Sequence, residues 1–438
     1  MSAPHRSWGP WAERLARVDE MMRDMSAHTD PQAMVQQYGR RVREFFGTTD
    51  FVSLSRRGVQ PPFFRVTRSS KWQGRAIDPW KDGHKLPLLS GGLLGELLYA
   101  DRPQLINDFT PDPADPGYEH LAGSRALLAI PHYENGVAVN MVVSLQAEVG
   151  GFEPELVPEL VWTSSLFGRA TGSLVLSRKL AAANAALEHE MNVVAEIQRS
   201  LLPSTLPDLP TLDLAAEYCP STRASGDYYD FFPLADGRLG MLIADVSGHG
   251  TPAAVLMAIL HAIAHMRPGE PDPPAHVLSD LNAALAARYT MTTGTFVTAF
   301  YGVYDPRSRR LTYSSAGHNP PLLLDGQTGA VGRLDRAQGL PLGVLDDSKY
   351  TDASTPLDPG DTLVLYTDGI TEAHAPANTT GDRLFGEARL EATIYRCAKV
   401  APVAGAQGVI DEILRDVEAF ANGRPADDDR TIVVGRVR

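Results

Sequence analysis

The chain is predicted to be an α+β protein in two strand-bearing regions joined by a long helix, and three observations lead there. Strand-like apolar segments such as 228–234 and 238–246, or 295–305 and 310–317, follow one another in pairs, with helix-like stretches set apart from them, which suits layered antiparallel sheets better than a βαβ succession. From Leu176 to Leu202 there is neither Gly nor Pro, so one helix is expected to divide the strand-rich halves. At 438 residues the chain also exceeds what a single core organises. The expected domains are an N-terminal helix over 1–30, an α+β domain over 31–175, a coiled-coil linker helix over 176–203 and a C-terminal domain over 204–438.

Composition narrows the function classes. Acidic residues outnumber basic ones 53 to 40, a net charge of -13, and no basic stripe offers itself to a phosphate backbone, so a nucleic-acid partner is not expected. Cys219 and Cys397 are too few for a zinc cluster or a disulfide framework. No apolar run approaches the ~18 residues of a membrane span, and the N-terminus lacks a signal peptide's apolar core. A cytoplasmic protein without membrane contact is expected.

Taken in order, Trp11, Leu15, Val18, Met22 and Met25 alternate at spacings of four and three, the seam of a short coiled coil or of a helix lying on a neighbour. A second helix is expected over Pro31–Phe46, then strands near 51–54, 63–66, 126–130 and 137–145, with the Asp- and Pro-rich tract 100–120 as a loop. His84, His120 and His132 are scattered and read as core or surface histidines rather than ligands. This order of helix, strands, loop-rich middle, then SRALLAIPHYENGVAVNMVVSLQ and GFEPELVPELVWTSSLFGRATGSLVL, resembles a GAF domain; the resemblance implies a sensory module, a ligand pocket or a dimer module.

Leu176, Leu180, Ala183, Leu187, Val194, Ile197 and Leu201 keep the same alternation, interrupted at Glu190. A parallel two-helix coiled coil, hence a homodimer, is one use of that pattern; a single helix packed along one domain is the other. After the Pro-rich hinge SLLPSTLPDLP come strand-like segments at 212–220, 228–234, 238–246, 295–305, 310–317, 320–325, 361–369 and 430–438. Helices are expected over Pro252–Met266, Pro274–Tyr289, Arg383–Cys397 and Ala406–Phe420.

The chemistry concentrates at strand ends. Asp236-Gly237 supplies the turn of a hairpin whose outer ends carry Asp227 and Asp245, so two carboxylates lie side by side. Neighbouring carboxylates raise each other's pKa unless a cation lies between them, and hard ions such as Mg2+ or Mn2+ take such oxygen ligands. Ser247-Gly248-His249-Gly250 then turns into a helix at Thr251-Pro252, which leaves helix capping as the plainer role of Asp245. Asp368-Gly369 ends the apolar strand LVLYT, and Asp427-Asp428-Asp429 precedes the last strand. Converging acidic strand ends outrun turn preference alone, since a rigidly held carboxylate facing a cleft is what a metal site needs.

Seven motifs, GDYYDFF, ADVSGHGTPAA, FVTAFYGVYDP, SAGHNPPLL, LPLGV, LYTDGITEA and DDRTIVV, resemble in order and spacing the SpoIIE/RsbU-type branch of the PPM metal-dependent protein phosphatases, over roughly the half of the chain from Leu201 onward. The resemblance implies a PPM-type α-β-β-α sandwich with two or more Mn2+ or Mg2+ ions at one end. It makes Asp245 the bridging carboxylate, Val246 a backbone-carbonyl ligand, Asp368 and Asp428 ligands from the later strands, and Asp227 the acid that holds metal-bound water, with Asp429 the alternative to Asp428. Asp227 and Asp245 are thereby the candidate catalytic pair. His249 or His318 is a candidate proton donor to the leaving alkoxide, each with a plain turn role as the alternative, and Thr371–Asp382 is a candidate flap. The implied function is a phosphoserine/phosphothreonine phosphatase under GAF-like control, acting on an anti-sigma-factor antagonist of the STAS kind. A non-catalytic scaffold binding the same partner is the alternative, and a nucleotide cyclase or phosphodiesterase would need a Gly-rich nucleotide loop or His-Asp metal pairs, neither of which is found.

Overall fold

The structure is a computed structural model that describes residues 11–46, 48, 50–72, 77–221, 224–266, 272–290, 294–376, 382–399 and 405–438. The Trp11 seam side chain and residues 377–381 of the expected flap lie outside the described residues. Two compact units, 1–185 and 186–438, divide the chain.

The first unit opens with α1 (Trp11–Ala27) and α2 (Pro31–Phe46), then β1 (Asp50–Ser55), β2 (Phe63–Ser69), β3 (Leu88–Ser90), α3 (Gly92–Tyr99), β4 (Gln104–Ile106), α4 (Tyr118–Leu121), β5 (Ala126–Glu134) and β6 (Val137–Gln146). The strands make one antiparallel sheet ordered β3-β2-β1-β6-β5-β4. Alternation gives the sheet two faces: Leu127, Ala129, Val143 and Leu145 pack with Leu94, Leu97 and Leu98 of α3, while Leu128 and Ile130 pack with Phe152 and Leu160. The tract expected to be loop holds β4 and α4. His120 is buried against Ser69, and the His132 ring meets Ser164 at 3.0 Å, so both are packing histidines.

The long helix α5 (Val157–Leu201) begins well before Leu176. Gly168 and Gly172 are carried inside it because tertiary packing outweighs propensity: the Phe167 ring stacks on Tyr38 at 3.8 Å, and Leu160 is buried.

In the second unit, β7 (Leu212–Cys219), β8 (Tyr228–Pro233) and β9 (Leu239–Val246) are followed by α6 (Thr251–His265) and α7 (Pro274–Leu285). Then come β10 (Val297–Asp305), β11 (Arg310–Ala316), β12 (Leu322–Leu324), β13 (Val331–Arg333), β14 (Gln338–Gly339), β15 (Ala353–Pro356), β16 (Thr362–Tyr366), α8 (Asp368–Thr371), α9 (Gly386–Lys399), α10 (Gly405–Ala421) and β17 (Arg430–Val437). The helix expected to reach Tyr289 ends at Leu285 and continues as a π-type turn, Ala286–Thr290. One sheet runs β14-β11-β10-β9-β8 with β15 paired to β11, and the other β13-β12-β16-β17-β7.

The layers follow from the period of two. Odd-numbered Tyr229, Phe231, Met241 and Ile243 face Leu363, Leu365, Val433 and Val437 of the opposite sheet, forming the core between the sheets. Even-numbered Tyr228, Leu242 and Ala244 face Met257, Leu260, Leu278 and Leu281 of α6 and α7. Val364, Tyr366, Ile432 and Val434 face Ile394, Ile410, Ile413 and Val417 of α9 and α10. The result is the expected α-β-β-α sandwich.

Candidate active site

The same alternation aims the acidic residues. Asp227 precedes β8 and Asp245 lies next to last in β9, both odd-numbered, so they continue the inter-sheet face to the end where the core runs out. Tyr228 pairs with Ala244, which sets Asp227 beside Asp245 across the hairpin. From the opposite sheet, Thr367 and Thr431 extend the inward faces of β16 and β17 at that same end, since Tyr366 pairs with Ile432. Asp368 follows as the first residue of α8, and Asp428 and Asp429 lead into β17.

Asp227 is buried, and its Oδ2 accepts hydrogen bonds from Thr431 Oγ1 at 2.6 Å and Thr367 Oγ1 at 2.8 Å; the Thr431 N–H in turn donates to Thr367 Oγ1 at 2.9 Å. Burial pushes the Asp227 carboxyl up to about 8 despite those donors, with Asp429 and Asp368 adding repulsion. Burial likewise raises Asp245 to about 9, and the charges of Asp227, Asp368, Asp428 and Asp429 all contribute. Asp368 is lifted to about 6 by burial, then by Asp428 and Glu372. Asp428 is raised by partial burial and by Asp429, while His249 pulls the other way. Among the described residues no ion pair relieves Asp227, Asp245, Asp368 or Asp428. Oxygen donors without an ion-pair partner are chemically suited to hard divalent ions, although no three of these carboxylates bring their oxygens within 4.8 Å of one another.

Asp428 and Asp429 separate by environment. Asp429 is buried and committed: its Oδ1 accepts from Ser221 N–H at 2.7 Å and Ser221 Oγ at 3.0 Å, and its Oδ2 from Gly226 N–H at 3.1 Å. Asp428 is exposed at the mouth, and its Oδ1 accepts from the Asp429 N–H at 2.8 Å. The Val246 N–H bonds to the Gly226 carbonyl, and a Cβ on Gly226 would stand 2.8 Å from the Val246 carbonyl oxygen and 3.3 Å from Asp245 Oδ1, so only glycine leaves that approach open.

The end of α5 reaches this site. Buried Gln198 brackets Ser225 with both amide atoms: its Nε2 donates to the Ser225 carbonyl at 2.8 Å, and the Ser225 N–H donates to its Oε1 at 3.1 Å. Ser225 Oγ then accepts from the Asp227 N–H at 3.1 Å. Of the two histidines, His249 is exposed beside Asp428. His318 is buried, bonds Thr298 Oγ1 through Nδ1 at 2.9 Å, and is pushed down to about 4 by burial, so it takes the packing role. Sequence reading missed Thr367, Thr431, Ser221 and Gln198. For the two threonines a signal existed, since each extends the odd-numbered face of an apolar strand beside a candidate aspartate.

With this geometry in hand, residues 235–438 match the family model described as stage II sporulation protein E (SpoIIE). This stretch is a SpoIIE-family domain. The chain is similar to phosphoserine phosphatase RsbU of Bacillus subtilis, 33% identical over 186 residues, which are 42% of this chain and 54% of that protein. It is also similar to protein IcfG of Synechocystis sp., 29% identical over 269 residues, 56% of this chain and 41% of that one. The chain thus spans about half the length of the relatives it matches. Among solved structures, the SiaA-PP2C domain of Pseudomonas aeruginosa shares its fold with 58% of this chain, over 99% of its own length, with a TM-score of 0.50 and 24% identity. Among the described residues no helix is long and apolar enough to cross a membrane.

Proposed function

We propose that the chain is a metal-dependent phosphoprotein phosphatase acting on phosphoserine or phosphothreonine. The observation that carries the reading is that the hairpin end bearing Asp227 and Asp245 meets the strand ends bearing Asp368 and Asp428, tied through the Thr367 and Thr431 hydrogen bonds to Asp227, at one end of a sandwich that matches the family of a named phosphoserine phosphatase. Asp245, Asp227, Asp368 and Asp428, with the Val246 carbonyl, are the residues to hold two or more Mn2+ or Mg2+ ions. Asp429 is assigned instead to tying Ser221 and Gly226 to the start of β17, because both its oxygens accept hydrogen bonds from them.

When bound, such ions activate water for attack on phosphorus and neutralise phosphoryl charge. The chain's own residues do the rest. Thr367 and Thr431 fix the Asp227 carboxylate, which favours its ionised form. His249, exposed and close enough to Asp428 to lower its pKa, is the candidate to hand a proton to the leaving alkoxide.

The finer proposals follow from the family. The substrate is a phosphorylated STAS-domain anti-sigma-factor antagonist in a partner-switching pathway, the first unit is a GAF-like sensory domain with a small-molecule ligand, and the site of action is the cytoplasm. The chain is a homodimer through α5, supported by Leu176, Leu180, Leu187 and Ile197, which stand 56–68% exposed along its seam. Incubation with phosphorylated STAS-domain proteins, with Mn2+ or with chelator, followed by intact mass measurement, tests the reading. Loss of one phosphate only with metal supports it; stable binding with the phosphate intact would leave the scaffold reading. Asp245→Ala and Asp368→Ala are each expected to abolish Mn2+-dependent hydrolysis of p-nitrophenyl phosphate in folded protein.

A further inference from the structure

A second group of metal-type ligands sits on the other face of the same sheet. Asp230 is even-numbered, so it points with Tyr228 toward α6, whereas Asp227 opens between the sheets. His261 and His265 are four apart on α6 and share one helix face, their ring centroids 4.3 Å apart. His265 Nε2 lies 2.8 Å from Asp230 Oδ2 and His261 Nδ1 lies 3.8 Å from the same oxygen. The Tyr228 hydroxyl bridges them, within hydrogen-bond reach of both Asp230 Oδ2 and His261 Nδ1. The three ligand atoms all lie within 4.8 Å of one another, and among the described residues no other group of three or more His, Cys, Asp or Glu side chains does so.

The carboxylate is the informative member. Asp230 is 6% exposed, and among the described residues its ionic partners are these two histidines, with no Lys or Arg. A buried carboxylate needs a compensating charge, and a shared cation supplies it directly.

We propose that Asp230, His261 and His265 form a second divalent-metal site, of the zinc class, that ties α6 to β8. Zinc bonds of about 2.0–2.2 Å at tetrahedral angles set ligand atoms about 3.3 Å apart. The 2.8 Å separation must therefore widen and the 3.8 Å one narrow by about half an ångström each, and the two histidine ligand atoms, within 4.8 Å of each other, must settle at the same spacing through side-chain rotation. His265 is 47% exposed, so the site opens to solvent and its fourth position is available to water. Tyr228 gives up His261 and keeps its hydrogen bond to Asp230, orienting that ligand. Two imidazoles and a carboxylate select Zn2+, Co2+ or Ni2+ over Mg2+ and Mn2+, whereas the aspartate site has oxygen donors only, so the two sites differ in the metals they favour. The consequence is mechanical: α6 starts at Thr251, just past the Ser247–Gly250 turn that follows Asp245, and a metal near its far end pins the helix in place.

The test uses full-length protein stripped of metal, with Co2+ and Zn2+ as probes. Titration with Co2+ is expected to give the visible absorption of a tetrahedral nitrogen-oxygen site, displaced by one equivalent of Zn2+, and Zn2+ is expected to raise the thermal midpoint. Both effects are expected to persist in Asp368→Asn, to vanish in His261→Ala and in His265→Gln, and to weaken about 10-fold in Tyr228→Phe. His265→Gln retains a hydrogen-bond donor for Asp230 and lies on an exposed position, so it keeps the fold, checked by circular dichroism. An octahedral Co2+ spectrum alone, or tetrahedral binding undiminished in both histidine variants, overturns the proposal. Loss of the signal in Asp368→Asn with retention in the histidine variants would assign the metal to the aspartates instead.

Discussion

Replacing Thr431 by Val removes one hydroxyl from Asp227 while keeping the side chain's outline. Thr431 is fully buried, its Oγ1 donates to Asp227 Oδ2 at 2.6 Å, and the remaining donor is Thr367 at 2.8 Å. A hydrogen bond to a charged group contributes about 1.5–3 kcal/mol, which is about 10- to 150-fold in an equilibrium constant. The loss falls on the ionised form of a carboxyl that burial already holds up to about 8, so a metal must displace a more tightly held proton. The Mn2+ concentration for half-maximal hydrolysis of p-nitrophenyl phosphate near neutral pH is expected to rise by about 10- to 150-fold, with a much smaller fall in kcat at saturating Mn2+. Thr431→Ser, which keeps the hydroxyl, is expected to restore most of the affinity. A folded Thr431→Val protein with an unchanged Mn2+ dependence would remove Asp227 from the metal's surroundings and refute the reasoning.

Three further outcomes are expected. Gly369→Ala would place a Cβ 2.0 Å from the Asp429 carbonyl oxygen, so the Asp428–Asp429 turn must move; a loss of about 1–3 kcal/mol in urea unfolding, together with loss of phosphatase activity, is expected. His318, ordinarily near 6.5, is held at about 4 in the folded state, so below about pH 6.5 the unfolded chain binds the extra proton and the His318 contribution to stability is lost as pH drops toward 4; that contribution is about 3 kcal/mol, read as the difference between wild type and His318→Asn in how the unfolding free energy changes from about pH 7 to pH 4, with the raised aspartates cancelling between the two proteins. Leu187→Lys with Val194→Lys is expected to halve the mass seen by light scattering, and an unchanged mass would remove α5 as the dimer interface.

The acidic strand ends were legible in the sequence because each follows an apolar run whose alternation fixes its direction: Asp245 continues Met241 and Ile243. The strands of the sandwich were legible for the same reason, their ends shifting by a residue or a few. What stayed hidden was set by partners distant in sequence. The difference between Asp428 and Asp429 depends on Ser221 and Gly226, some two hundred positions away, reaching one carboxylate and not the other. The run of α5 through Gly168 and Gly172 is supported by Tyr38 stacking on Phe167, a contact that no local propensity encodes. Asp230, His261 and His265 escaped notice because a turnless Asp in a strand and two histidines in a helix carry no motif until β8 and α6 pack together.

Gln198 grips Ser225 at two points, and Ser225 holds the backbone amide of Asp227. An axial slip or twist at the end of α5 therefore cannot be silent: it must either snap that grip, forfeiting about 1 kcal/mol per bond, or drag the first carboxylate of the cluster along with it. On the proposed metal-dependent reading, travel at the end of α5 would alter how readily the cluster accepts a cation without any partner touching the cluster itself.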